Sequence, residues 1–197
     1  MIRGVAFDMD GTLTRPVLNF RELREKIGIS SRAKPIFEQI LEMQGPAQER
    51  ALAILESEEM KAAENSSPNP GLSELLDFLD QGSIRKGIYT RNSRQALEKT
   101  LSLLGVSGRF SPLLTRDHKL RLKPEPDMIL HILSEWKLSP GEVLVVGDYD
   151  FDVMAGKSAG CAAVFLSHNH APAPAGADFV IERLDQLIDI IGGHHEA

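Results

Sequence analysis

The stretch Phe7-Asp8-Met9-Asp10-Gly11-Thr12-Leu13-Thr14 follows directly on an apolar segment, Val5-Ala6-Phe7, and sets two carboxylates two residues apart before a glycine turn. In a strand, positions i and i+2 point to the same side. With the strand stopping here, Asp8 and Asp10 face the crevice outside its carboxyl end, where open α/β sheets bind ligands. One carboxylate can attack an electrophile while the other handles a proton. A buried pair of like charges is costly without a cation or proton to compensate, so a divalent metal is implied. A lone pair of this kind would read as an acidic turn. Gly11-Thr12 and three partner segments far along the chain reverse that preference.

Outward from this stretch, the first strand covers about residues 2–8. From about 15 to 64 the pattern becomes helical: Phe20, Leu23 and Ile27, then Ile36, Ile40 and Met43, then Leu52, Leu55 and Met60. Pro35 and Pro46 stand where helices begin. No strand signal interrupts this part, which predicts a small all-helical insert. Its hinges are the segment after Thr14 and the polar Asn65-Ser66-Ser67-Pro68-Asn69-Pro70-Gly71.

Beyond residue 70 helix and strand alternate. Helices are expected over 72–79, 93–104, 127–136, 153–159 and 184–191. Strands are expected over 84–90, 113–114, 142–147, 162–166 and 179–181. Such alternation predicts an α/β fold, a parallel sheet with helices on both faces. The core comprises 1–14 and 70–197, and the insert 15–69. The tail from Gly192, with His194 and His195, reads as frayed and solvated.

Composition sets limits on function. A chain of 197 residues, 42% hydrophobic and 25% charged, suits one full domain with an insert. The formal net charge of −6 argues against a nucleic-acid partner. The single cysteine, Cys161, excludes an intramolecular disulfide framework and a cysteine-rich metal site, and reads as a small buried residue. No apolar run approaches the roughly 18 residues of a membrane span. Met1 leads straight into the first strand, leaving no room for a signal peptide, so a cytoplasmic location is expected.

Four segments are predicted to meet at the strand ends. Asp8 and Asp10 follow the first strand, and Thr90 ends the strand near 84–90, with Arg91-Asn92 opening the next turn. Lys123 lies in Leu122-Lys123-Pro124-Glu125-Pro126-Asp127. Asp148 and Asp152 follow the strand ending at Gly147. An aspartate nucleophile, a hydroxyl, a lysine and a distal acidic pair are what phosphoryl transfer to a carboxylate requires.

With these four motifs in order, the chain resembles the haloacid dehalogenase superfamily over nearly its whole length outside the insert. Pro70-Gly71-Leu72, Lys123-Pro124-Glu125-Pro126-Asp127 and Ala155-Gly156-Lys157-Ser158-Ala159-Gly160 strengthen the match. The resemblance implies a Rossmann-like core and Mg²⁺ as cofactor. Asp8 would form an aspartyl-phosphate. Asp10 would protonate the leaving oxygen and then activate water, its main-chain carbonyl binding the metal. Asp148 would be the second carboxylate on Mg²⁺, with Asp152 supporting it. Asp152 also suits a helix cap, and the two roles are compatible. Thr90 and Lys123 would hold the phosphate, together with the Gly11-Thr12 turn, Arg91 and Asn92. An acid at position 10 suits a leaving alkoxide, which needs a proton, and so points to phosphate esters.

The insert resembles the small cap of the subclass that includes phosphoglycolate phosphatases and β-phosphoglucomutases. Such a cap closes over the site and selects a small phosphorylated metabolite. Among its basic residues, Arg15, Arg21, Arg24, Arg32 and Lys34, Arg15 is the foremost substrate-binding candidate because it follows the first motif. Two departures stand out. Tyr149 occupies a position where relatives commonly have serine, and Arg91 one where a small or amide residue is usual. Arg91 can reach a phosphate or lie in solvent. The main rival to a phosphatase is a β-phosphoglucomutase-type mutase. In those relatives an acid typically precedes the metal aspartate, whereas this chain has Gly147. A non-catalytic binding protein is a further rival, but every catalytic side chain is present. Oligomeric state and pathway are not legible.

Overall fold

The computed structural model describes residues 1–31 and 34–193, so Arg32 and the histidine pair at 194–195 lie outside the described residues. Six strands form one parallel sheet: β1 (Gly4–Phe7), β2 (Arg85–Tyr89), β3 (Leu113–Leu114), β4 (Val143–Gly147), β5 (Ala162–Leu166) and β6 (Phe179–Ile181). Their order is β3-β2-β1-β4-β5-β6. The winding direction therefore changes between β1 and β4, and their carboxyl ends open the crevice where ligands bind in such sheets. Phe7 is in register with Val146, which brings Asp8 and Asp148 to the same edge.

Both faces of the sheet are covered, which is why its central strands read as continuous apolar runs. On one face Val5, Phe7, Leu144 and Val146 pack against α4 (Leu72–Gln81), α5 (Arg94–Leu103) and α8 (Leu187–Gly193). On the other, Ala6, Tyr89, Val143 and Val145 meet α6 (Asp127–Trp136) and α7 (Asp150–Ser158). Cys161 is buried in this second layer, as expected, and burial pushes its thiol up to about 11.

Two strand glycines have a packing reason. A Cβ on Gly4 would lie 2.6 Å from the Trp136 ring, and one on Gly87 2.9 Å from it. The indole thus lies against bare backbone, and its Nε1 donates to the Ser111 carbonyl at 2.9 Å. This seats the end of α6, the helix that follows Lys123.

Between Thr14 and Asn69 the chain forms α1 (Phe20–Ile27), α2 (Ile36–Leu41) and α3 (Gly45–Glu64). Asn19 caps α1 by accepting from the N–H groups of Arg21 and Glu22, and left-handed Gly28 ends it. Pro35 immediately precedes α2 and Pro46 lies in the first turn of α3. Leu23, Ile36, Ile40 and Leu55 form a small separate core. Phe20 opens α1 as its spacing indicates, but unlike Leu23 it is 59% exposed. Helix α7 begins earlier than the apolar pattern indicates, because the Asp152 carboxylate accepts from the Tyr149 N–H at 3.1 Å and caps the added turn.

The connectors expected to act as hinges are pinned to each other. Thr14 bridges Pro68, Arg15 N–H donates to Ser67 at 2.9 Å, and Asn69 N–H donates to Leu13 at 2.9 Å. The Asn69 amide also shares its hydrogens among the carbonyls of Gly11, Thr12 and Thr14 at 2.8–2.9 Å.

A second fastening is an ion pair between Glu59 on α3 and Arg116 in the turn after β3, with side chains only 3% and 4% exposed. Arg116→Met strands the Glu59 charge and is expected to cost about 3–5 kcal/mol, most of it regained on adding Glu59→Met. Urea unfolding of the single and double variants measures this. A loss below about 1 kcal/mol, the worth of an exposed pair, would contradict it. Among the described residues no helix is long and apolar enough to cross a membrane.

Candidate active site

At the end of β1 the backbone closes a tight turn over Met9–Leu13, with Thr14 N–H donating to the Met9 carbonyl at 3.1 Å. Gly11 sits in this turn at φ +77°, and a Cβ there would come within 2.0 Å of an Asp148 carboxylate oxygen. Conformation and space both require glycine. Buried Thr12 is outside the cavity lining, its hydroxyl donating to Asp148 at 3.5 Å.

The buried Lys123 ammonium bridges two carboxylates, 2.7 Å from Asp8 and 2.6 Å from Asp152. The Tyr89 hydroxyl lies 3.1 Å from the same Asp152 oxygen, and the other Asp152 oxygen caps α7. Asp152 therefore takes the capping role that its helix position suggested while staying in the acidic cluster.

Burial pushes Asp8 well above the ordinary carboxylate range. Lys123 opposes this, while Asp152 and Asp148 add to it. Burial, then Asp152, pushes Asp148 up to about 6 against the pull of Lys123 and His168. Burial alone would lower Lys123, but Asp152 and Asp8 outweigh it and raise its pKa. One lysine thus does not offset the cluster, which favours a further cation. Asp8, Asp148 and Asp152 offer ligand oxygens within 4.8 Å of one another. An all-oxygen set of this charge fits a hard divalent metal. Asp10 adds no side chain to it.

The Asp10 carboxylate instead accepts from the Asn92 amide at 2.6 Å, and burial raises its pKa against that bond and Lys123. Asn92, expected near the phosphate, is thus held on Asp10. Buried Thr90 lines the cavity, its hydroxyl oxygen accepting from the Asn92 N–H at 3.2 Å. Arg91 lines the cavity rather than lying in solvent, and its guanidinium donates to the Lys123 carbonyl and pairs with Glu38 on α2. Arg15 is exposed and outside the cavity lining, because the backbone bond to Ser67 carries its residue along the connector. Arg21, in the first turn of α1, lines the cavity instead.

Sequence reasoning missed three further neighbours. His168, after β5, donates to the Gly11 carbonyl at 2.6 Å and stands 3.7 Å from Asp148. Asn69 fixes the same turn, and Glu59 lines the cavity from α3. Asn69 lay in a segment already marked as polar; the other two carry no local signal.

The cavity, about 460 Å³, opens between the carboxyl edge of the sheet and α1–α3. Asp8, Asp10, Thr90, Lys123 and Asp148 line its floor. The arrangement presents two carboxylates on one floor, Asp8 paired with the Lys123 ammonium and Asp10 held separately by Asn92.

Comparison with known proteins agrees with this geometry. An uncharacterized hydrolase of Saccharomyces cerevisiae is 33% identical over 96% of this chain and 91% of its own. An N-acetylmuramic acid 6-phosphate phosphatase of Pseudomonas aeruginosa is 28% identical over 96% of this chain and 95% of its own. A crystal structure of a hydrolase from Pseudomonas syringae superposes with a TM-score of 0.82, at 22% identity, over 97% of this chain and 98% of its own. The family model for haloacid dehalogenase-like hydrolases matches residues 14–166, and with full-length relatives alongside it the chain belongs to the haloacid dehalogenase-like hydrolase family.

Proposed function

We propose that the protein is a Mg²⁺-dependent phosphatase of a small phosphorylated metabolite, acting through an aspartyl-phosphate on Asp8. The observation that carries this reading is the Lys123 ammonium set between Asp8 and Asp152, with Asp10 held apart by Asn92. An Asp8 oxygen attacks phosphorus, and Thr90 and Lys123 bind the phosphate oxygens. Asp10, raised by burial, gives its proton to the departing alkoxide. It then takes a proton from the water that attacks phosphorus, and phosphate leaves Asp8. Asp8, Asp148, Asp152 and the main-chain carbonyl of Asp10 would hold Mg²⁺. When bound, the ion supplies positive charge to the phosphate oxygens.

Residues 15–69 serve as the cap of a core built from 1–14 and 70–197, excluding bulk water and contacting the leaving group. Gly147 supports hydrolysis over the mutase alternative. A Cβ there would fall 2.1 Å from the Asp152 carboxyl carbon, so position 147 has no room for an acidic side chain while Asp152 keeps its place.

Phosphate release from a panel of phosphorylated metabolites, with Mg²⁺ and in EDTA, tests the reading. Release is expected only with Mg²⁺, and β-glucose 1-phosphate should yield no glucose 6-phosphate. Turnover after exhaustive chelation, or conversion to glucose 6-phosphate without free phosphate, overturns it. Mg²⁺ must also compete with a proton on Asp148, whose pKa is about 6. The rise in melting temperature given by Mg²⁺ should therefore be full above pH 7 and fade below pH 6. Each unit below that pKa lowers Mg²⁺ affinity about tenfold. An increment unchanged from pH 7.5 to 5 would contradict the assignment of Asp148 to the metal.

A further inference from the structure

Above the carboxylate floor, the walls of the cavity are of a different kind. Val17, Phe20, Ile36 and Leu55 line it from the insertion, and Tyr149 and Phe151 from the core. Tyr149 and Phe151 meet edge to face with centroids 5.1 Å apart. Phe20 is 59% exposed, Tyr149 56% and Val17 44%, so large apolar groups stand open to water around one mouth.

Most polar side chains in those walls are already engaged. Arg24 donates to the carbonyls of Ser31 at 2.6 Å and Lys34 at 3.1 Å. Arg91 is held by Glu38 and the Lys123 carbonyl, and Asn92 by Asp10. Glu59 is held by Arg116 and by the Ser93 N–H at 3.3 Å. Among the described residues, the Arg21 guanidinium and the Tyr149 hydroxyl are the polar wall groups left without a protein partner. A hexose has four or more hydroxyls to satisfy, and losing their water without new partners opposes binding. An apolar body loses nothing there and covers exposed rings.

We infer that this site selects a phosphate monoester whose alcohol is predominantly apolar, aryl or alkyl in body, rather than a polyhydroxylated sugar. The inference deepens the phosphatase reading and rests on it for the placement of the phosphate. Phe20 and Tyr149 are then specificity-determining residues, and the aromatic residue that replaces a serine after Asp148 has a purpose.

Benzyl phosphate and glucose 6-phosphate separate the two classes, because both release a primary alkoxide and intrinsic reactivity does not bias the comparison. Calorimetry on Asp8→Asn protein with Mg²⁺ should give at least about tenfold tighter binding of benzyl phosphate, and Phe20→Ala in that background should remove most of the difference. In otherwise wild-type enzyme the kcat/KM ratio of the two esters should move the same way. Equal binding, or tighter binding of glucose 6-phosphate, overturns the inference and leaves the phosphatase reading intact if both esters release phosphate. A preference for benzyl phosphate that survives Phe20→Ala overturns the role of the rim. If wild-type protein hydrolyses neither ester nor any other in the panel, the phosphatase reading fails, while the binding preference still decides the character of the cavity.

Discussion

Asp8→Asn protein is expected to lose turnover by about 10⁴-fold or more, as removal of a covalent nucleophile does elsewhere. The same protein should melt no lower than wild type in EDTA. An amide is nearly isosteric but cannot attack phosphorus. The two readouts should diverge because burial, joined by repulsion from Asp152 and Asp148, raises the Asp8 pKa against the pull of Lys123, so its charge is held at a net cost. Removing that charge relieves the repulsion, while Lys123 retains Asp152 at 2.6 Å. A strained carboxylate kept for chemistry is the kind of site where stability and activity trade against each other. Phosphate release and a melting curve on the same preparation test both halves. Near-normal turnover removes the aspartyl-phosphate mechanism. A markedly lower melting temperature would give Asp8 a structural role that its surroundings contradict.

The sheet and the positions of the four motifs were legible in sequence because their signals are local. Val143-Leu144-Val145-Val146 reads as a strand buried on both faces, and it pairs with β1 and β5 in the middle of the sheet. Asp8, Thr90, Lys123 and Asp148 each sit just beyond or between elements whose limits hydrophobic periodicity could place. Single contacts across long stretches of chain were not legible. Arg91 meets Glu38 and Arg116 meets Glu59, 53 and 57 residues away, and no spacing rule marks either pair. Glu59 looks like a solvated charge on an amphipathic helix, yet it is buried because Arg116 and Ser93 satisfy it. Arg15 was favoured as a substrate contact for its place in sequence, but the bond from its N–H to Ser67 fixes the connector and leaves its side chain outside the cavity. Phe20 keeps the helical spacing read from sequence, but spacing alone did not show that Asn19 caps α1 there and that the ring lines the cavity.

Lys123→Met should lower both activity and stability, and the two losses should respond differently to conditions. Methionine keeps much of the volume but leaves Asp8 and Asp152, formerly 2.7 and 2.6 Å from the ammonium, without a counter-charge. Breaking a buried pair in this way costs about 3–5 kcal/mol. Losing a preorganised charge on the phosphate lowers kcat by about 10²–10³-fold or more. The stability loss has a defined sign with pH. Without Lys123 the buried Asp8 carboxylate is raised further, so the fold binds a proton that the unfolded chain does not bind near neutrality. The penalty is then greatest at alkaline pH and shrinks as pH falls toward the unfolded carboxylate range. Urea unfolding at pH 8 and at pH 5.5 measures it, and a small, pH-independent loss would mean that Lys123 is not the counter-charge. Mg²⁺ adds a further distinction. With one positive charge removed from the cluster, the metal should stabilise the variant more than it stabilises wild type, since repulsion from the ammonium is gone. Turnover should nevertheless stay low, because a tighter metal does not replace the donor that positions the phosphate. Full rescue of activity by excess Mg²⁺ would reduce Lys123 to a generic positive charge and remove its assignment to the phosphate.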